Sequence, residues 1–207
     1  MKIQEKMLQK LANGSDVRGV AMDGVENEAV TLSPGAANVI AAGFVNFLVK
    51  CLGKNESELH IAVGHDSRLS AHILKQAVFE ALVASGCNAI DCGLASTPAM
   101  FMSTIFEEIK ADGAIMITAS HLPYNRNGLK FFTQTGGAEP EDINTILNYA
   151  AAKEVTATDI SSVHNFDLMA RYSYHLREKI RSVFSGEQWP LQGMHIVVDA
   201  GNGAGGF

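Results

Sequence analysis

Two periods of apolar residues alternate along this chain, and the points where one gives way to the other outline its elements. Ser33-Pro34 opens an apolar run with helical spacing through Cys51. Both residues suit a helix start, because a serine oxygen accepts a bond from an orphan amide and proline is preorganised for the first turn. The run Leu59-His-Ile-Ala-Val-Gly64 has the length and composition of a buried strand. Ser70 then stands as cap of a helix through Ser85, closed by Gly86, a residue suited to the left-handed conformation after a helix. A strand over Asn88 to Cys92 follows. Thr97-Pro98 repeats the helix-opening signature for a helix to about Lys110, and Gly113 to Thr118 is another short apolar strand.

Strands separated by helices of this length need crossover connections, so the pattern predicts a three-layer α/β/α sandwich with a mostly parallel sheet and ligands at the carboxyl ends of the strands. Leu129 to Thr133 follows Thr118 too closely for a crossover helix and is expected to pair antiparallel, which makes the sheet mixed. A helix near Glu139 to Ala151, a polar linker from Lys153 to His164 and a charged helix from Phe166 to Phe184 come next. Met194-His-Ile-Val-Val-Asp199 and the glycine turn Gly201 to Gly206 read as the first strand and turn of a second α/β domain that is cut short. The organisation expected is one domain over residues 1–152, a linker and helix over 153–190, and the truncated start of a second domain over 191–207.

Charge narrows the function classes. With 16 Lys and Arg against 22 Asp and Glu, the net charge of -6 repels nucleic acid and anionic membrane, so any anion site must be a local cluster of cations. The three cysteines, Cys51, Cys87 and Cys92, have neither zinc spacing nor the density of a disulfide scaffold, and reduced, mostly buried thiols are expected. The amino terminus has no uninterrupted apolar core after its basic residues, and the longest apolar stretch, Val39 to Val49, is broken by Gly43 and Asn46. A cytoplasmic protein is expected.

The chemistry should lie in loops that follow strands. Thr118-Ala-Ser-His-Leu-Pro-Tyr-Asn-Arg-Asn-Gly-Leu-Lys130 places Ser120 directly after a buried strand. No Gly-x-Ser-x-Gly elbow surrounds it, and His121, adjacent in sequence, should point away from it, so acyl transfer is disfavoured. Arg126 and Lys130 can approach the same edge, which suggests phosphate handling. Gly64-His-Asp-Ser-Arg68 precedes a capped helix, a position that favours anions, and Asp16-Val-Arg-Gly19 supplies Arg18 beside a glycine. A lone arginine on a loop is more often a solvated surface charge; the ordered combination is what carries weight.

That combination resembles the amino-terminal domain of the α-D-phosphohexomutase superfamily, the phosphoglucomutases and phosphomannomutases. The early Asp-x-Arg-Gly is matched by Asp16 to Gly19, Gly-Arg-Asp-x-Arg by Gly64 to Arg68, the serine loop by Thr118 to Pro123, and the lysine of Asn-Gly-x-Lys by Lys130, ten positions beyond Ser120. Val197 to Gly205 matches the opening of the second domain. His65 stands where the family has Arg and Leu122 where it has Asn, so a contact made by either usual side chain is in doubt.

The resemblance implies that Ser120 is a phosphorylated carrier and that a Mg²⁺ ion bridges its phosphate to aspartates of the second domain, leaving Ser120 as the one metal-ligand group of this chain. It implies Arg18 as phosphoserine clamp, Lys130 or His121 as acid/base toward the sugar hydroxyl, and His65, Asp66, Arg68 and Arg126 as phosphate or substrate contacts. The reaction implied interconverts hexose 1-phosphate and hexose 6-phosphate, with a hexose 1,6-bisphosphate as intermediate and activator and a small phosphosugar as partner. The 207 residues alone are expected to lack efficient activity. Two rivals stand beside this reading. One is a non-catalytic phosphosugar-binding domain. The other is a dinucleotide-binding oxidoreductase, suggested by Gly201-x-Gly203-x-x-Gly206 but lacking the helix and acidic residue that such a fingerprint requires.

Overall fold

The computed structural model describes residues 3–184, 187–201 and 203–205. In chain order its elements are α1 (Glu5–Gln9), β1 (Ala12–Asn13), β2 (Asp16–Val20), α2 (Pro34–Leu52), β3 (His60–His65), α3 (Ala71–Ala84), β4 (Asn88–Leu94), α4 (Thr97–Met102), β5 (Gly113–Ile117), β6 (Arg126–Thr133), β7 (Gly136–Gly137), α5 (Pro140–Ala151), β8 (His164–Asn165) and α6 (Leu168–Val183).

Strand side chains alternate between two apolar clusters, which makes the expected three layers. Ile115, Ile117, Leu129 and Phe131 face α2, α3 and α5, whereas Ala114, Met116 and Phe132 face α4 and Leu168 of α6. α2 is apolar on nearly every side because it is enclosed by α3, α5 and the sheet. Its Ser33 hydroxyl accepts from Ala36 N at 3.2 Å, as the sequence predicts, and Gly53 closes it at φ +66°. Gly43 lets α5 approach, since a Cβ there would collide with the Ile146 carbonyl.

The strand order is β1-β2-β6-β5-β3-β4-β8, with β7 on β6. β5, β3, β4 and β8 run parallel; β1, β2, β6 and β7 join antiparallel, a larger antiparallel share than the crossovers predict. The extra strand beside β6 is β2, which the sequence shows only as a motif. The polar stretch after α5 is anchored rather than loose: buried Asn38 donates to Thr156 O and accepts from Thr156 N, and His164–Asn165 adds an edge to β4.

Three local expectations are corrected. The helix opened by Thr97-Pro98 is capped by Ser96 and ends at Met102, not Lys110, because the Ser103 and Thr104 hydroxyls take the Met100 and Phe101 carbonyls at 2.7 and 2.8 Å and the chain turns away. Ser70 holds the cap position of α3 without capping it, its hydroxyl being bonded by Asn127 instead. Met194 to Asp199 forms no strand among the described residues: Val197 and Val198 are 94% and 79% exposed, and its Met194 N closes a turn onto Leu191 O instead of joining the sheet. The far end of the glycine turn, Asn202 and Gly206, lies outside the described residues. Cys87 and Cys92 are buried free thiols pushed up to about 12 by burial, and Cys51 is exposed.

Candidate functional site

β5 ends at Ile117, opposite Leu129 of β6, and Thr118 N continues the pairing by donating to Gly128 O at 3.0 Å. The chain then leaves the sheet in the loop that carries Ser120. The Thr118 hydroxyl donates to Asp66 Oδ2 at 2.7 Å and accepts from Ser120 N at 3.1 Å, tying the loop's first turn to the carboxyl end of β3. Ser120 sits at φ +55°, in the left-handed region that costs an L-residue about 1 kcal/mol or more. Its side chain is exposed, with Oγ 3.3 Å from His121 Nδ1. Adjacency in sequence predicts a histidine that points away; the left-handed bend at Ser120 instead brings the two side chains to one side.

Arg68 is the brace of this loop. Its Nη1 donates to the carbonyls of Pro123 (2.9 Å) and Arg126 (3.1 Å), and its Nη2 to those of Ser120 (2.6 Å) and Leu122 (2.9 Å). The buried Nε makes no hydrogen bond and lies 3.3 Å from Asp66 Oδ2, while Asp66 Oδ1 accepts Arg68 N at 3.0 Å. Arg68 and Asp66, expected to touch a phosphate, are here committed to holding backbone. Arg126 is likewise engaged: its Nη2 bonds Glu28 Oε1 at 2.6 Å, and Glu28 Oε2 accepts Asn125 Nδ2 at 2.6 Å. These bonds, the Asn125 amide first, hold the Glu28 carboxyl below its usual range.

His65 is not brought to the serine loop's surface. It is buried, its Nδ1 donates to Asp66 O at 2.7 Å, and its ring meets His72 edge-on at 5.0 Å. Burial depresses its pKa. With His72, Lys75, Leu69 and Leu94 it lines a cavity of about 550 Å³ over β3 and β4. Where the resemblance implies an arginine, this chain has a ring that packs inward.

Arg18 and Lys130 come together on the α4 face of β2 and β6. Asp16 lies opposite Lys130 and Arg18 opposite Gly128 in the antiparallel register. Asp16, 8% exposed, accepts Lys130 Nζ on Oδ1 at 2.5 Å and Arg18 Nη2 and Nε on Oδ2 at 2.8 and 3.3 Å. Gly128 makes room: a Cβ there would strike Val17 O, stand 2.8 Å from Thr118 O and 3.1 Å from Arg18 Cγ. The arginine stem therefore lies across Gly128 and carries its guanidinium back to Asp16, opposite Lys130. Buried Asn127 fixes that point, donating to Ser70 Oγ and accepting Gly128 N, each at 2.9 Å.

Asp16, Glu28 and Asn127 were not among the candidates read from sequence. Asp16 and Asn127 had a signal, Asp16 because residues two apart on a strand share a face and Asp16-x-Arg18 puts a carboxylate beside Arg18, Asn127 because it opens the Asn-Gly-x-Lys motif. Glu28 and Asn127 act through contacts with residues 97 and 57 positions away.

The chain's fit to a magnesium ion is partial. A phosphate on Ser120 would offer one hard oxygen ligand, but no group of three or more His, Cys, Asp or Glu among the described residues is placed to hold a metal.

A serine presented on a braced loop and an Asp-linked Arg and Lys on neighbouring strands of a mixed-sheet sandwich coincide with a family profile described as phosphoglucomutase/phosphomannomutase, alpha/beta/alpha domain I, which matches residues 9–157. The chain belongs to this family. The phosphoglucosamine mutase of a Nitratiruptor species is 35% identical over 159 residues, 73% of this chain and 34% of that protein. The phosphoglucosamine mutase of Nautilia profundicola is 33% identical over 192 residues, 88% of this chain and 40% of that protein. Among solved structures, a phosphoglucomutase/phosphomannomutase family protein from Burkholderia thailandensis superposes with a TM-score of 0.63 at 23% identity, over 79% of this chain and 34% of that one. The open form of Paramecium parafusin superposes with a TM-score of 0.60 at 20% identity, over 90% and 38%. At such identities the structures show the shared fold. The chain thus spans about a third to two fifths of the length of these phosphohexomutase relatives.

Proposed function

We propose that Ser120 is the phosphoryl carrier of a phosphohexomutase that moves phosphate between O1 and O6 of a hexose. In the forward half-reaction the Ser120 Oγ–P bond breaks as a sugar 6-hydroxyl bonds the phosphorus, and Lys130 or His121 relays the hydroxyl's proton to the departing Ser120 oxygen, giving its own proton as it takes the new one. The bisphosphate then turns over, the O1–P bond breaks as Ser120 Oγ bonds that phosphorus, and the serine's proton is relayed to O1. The observation that carries this reading is the presentation of Ser120: an exposed hydroxyl at φ +55°, on a loop whose shape four carbonyl bonds from Arg68 maintain. Phosphoryl transfer asks mainly for such positioning and for cationic charge, here Arg18 and Lys130.

A Mg²⁺ ion held at a phosphorylated Ser120 would supply charge neutralisation at the transferring group. Since no group of three or more metal-binding side chains stands together among the described residues, the isolated 207 residues are expected to turn over slowly or not at all. The names of the two relatives above support a hexosamine phosphate as substrate in preference to glucose or mannose phosphate.

The test is to isolate the protein as its own cells make it, map phosphate on the Ser120 peptide by mass spectrometry, and assay glucosamine phosphate isomerisation beside Ser120→Ala. Phosphate on Ser120 together with turnover that the alanine variant loses is the expected result. Turnover retained in Ser120→Ala overturns the carrier role, and phosphosugar binding without turnover in the wild-type protein establishes the binding-domain alternative.

A further inference from the structure

Asp16 is an anion placed where the proposed chemistry needs cations. Its carboxylate is 12% exposed and engages both neighbours at once, Lys130 through Oδ1 and Arg18 through Oδ2, whereas the two cationic side chains keep 25% and 24% of their surface. The trio carries a net charge of one positive, from two cations and one anion. A phosphate arriving at the exposed side of Arg18 and Lys130 meets donors already shared with a carboxylate.

We infer that Asp16 is an internal competitor of the phosphoryl group: it positions Arg18 and Lys130 when no phosphate is present and limits how tightly they grip one. This inference rests on the phosphoserine reading of the site. A carrier must surrender its phosphoryl group as readily as it takes one, and a clamp of two uncompensated cations would bind ground state and transition state alike, which does not speed transfer. The buried carboxylate halves the net charge that the pair presents. It also holds both side chains in fixed geometry across β2 and β6, so little order has to be created at the moment of transfer.

The measurement is the affinity of the dephosphorylated chain for inorganic phosphate, followed through the Ser120 and Gly128 amide resonances at constant ionic strength. Asp16→Asn raises the net charge of the trio from one positive to two, and phosphate binding is expected to tighten about fivefold or more. Asp16→Glu retains the charge and should bind like wild type; Arg18→Met and Lys130→Met should each weaken binding. Damage to the fold weakens binding, so tightening in Asp16→Asn separates competition from a structural role, and Asp16→Ser replaces it if the asparagine variant does not fold. Unchanged or weaker binding in Asp16→Asn, with weakening in the Arg18 and Lys130 variants, overturns the competitor role alone. If those two variants also bind phosphate like wild type, the cations do not face the phosphate, and both the inference and the site reading beneath it fall.

Discussion

Replacing Arg68 by lysine isolates the brace from its charge. Lysine keeps the positive charge near Asp66 but offers one nitrogen where the guanidinium offers two, and that nitrogen cannot reach the four carbonyls of Ser120, Leu122, Pro123 and Arg126 together. A hydrogen bond to a charged group contributes about 1.5–3 kcal/mol, and these do not add fully because the freed carbonyls find water at the surface. Losing the equivalent of one or two of them lowers the free energy of local loop opening by about 2–4 kcal/mol, a factor of roughly 30 to 800 in the opening equilibrium. The reporters are the amides of Ser120, Leu122 and Arg126, each bonded within the loop, to Thr118 Oγ1, Ala119 O and Pro123 O. Native-state hydrogen exchange should accelerate by that factor at these three amides in Arg68→Lys and stay unchanged along β4. Wild-type protection at all three would refute the brace.

Three further outcomes follow from the geometry. Ser120→Gly should be more stable than Ser120→Ala by about 1 kcal/mol in urea denaturation, because glycine relieves the left-handed backbone that alanine must keep; equal stabilities would contradict the strain. Gly128→Ala should cost about 2–3 kcal/mol by forcing a methyl against Val17 O and Thr118 O. Gly137→Ala, whose added carbon would meet nothing closer than 3.8 Å, should cost little in the same assay. His65 has a folded pKa depressed by burial, so the unfolded chain binds its proton first as pH falls. Its contribution is complete above the unfolded value of about 6.5 and is lost as pH drops through the folded value. Urea midpoints at pH 7.5 and 5.5 should therefore differ less in His65→Gln than in wild type, and an equal difference would place His65 outside this linkage.

Much of the architecture was legible because it depends on local chemistry. Ser33-Pro34 and Gly53 delimit α2 through side-chain capping and left-handed freedom, properties that a residue carries with it. Period-two and period-3.6 apolar patterns identified β3, β4, β5, α3 and α5 and implied three layers. The short gap between Thr118 and Leu129 required an antiparallel neighbour. The order of Arg18, Arg68, Ser120 and Lys130 pointed to phosphate chemistry without any coordinates.

The tertiary structure decided what each charged side chain does. Arg68, Asp66 and Arg126 stood as implied phosphate or substrate contacts because a motif records which residues are present but not what already occupies them; folding turns the first two toward backbone and pairs the third with Glu28. His65 stood among the implied phosphate or substrate contacts and is instead a buried ring bonded to Asp66 O, because β3 carries it inward. Ser96, Ser103 and Thr104 set the short span of α4 by competing for carbonyls, a contest that propensity alone does not settle. Met194 to Asp199 has the composition of a strand yet forms none here, since a strand is completed by its neighbour and not by its own residues. Asp16 became the centre of the site through β2 and β6, which set it opposite Lys130 across 114 positions of sequence. Apolar period and capping act within a few residues and can be read along the chain; hydrogen-bond partners are chosen across the fold, where every donor must be satisfied by whatever the packing brings near.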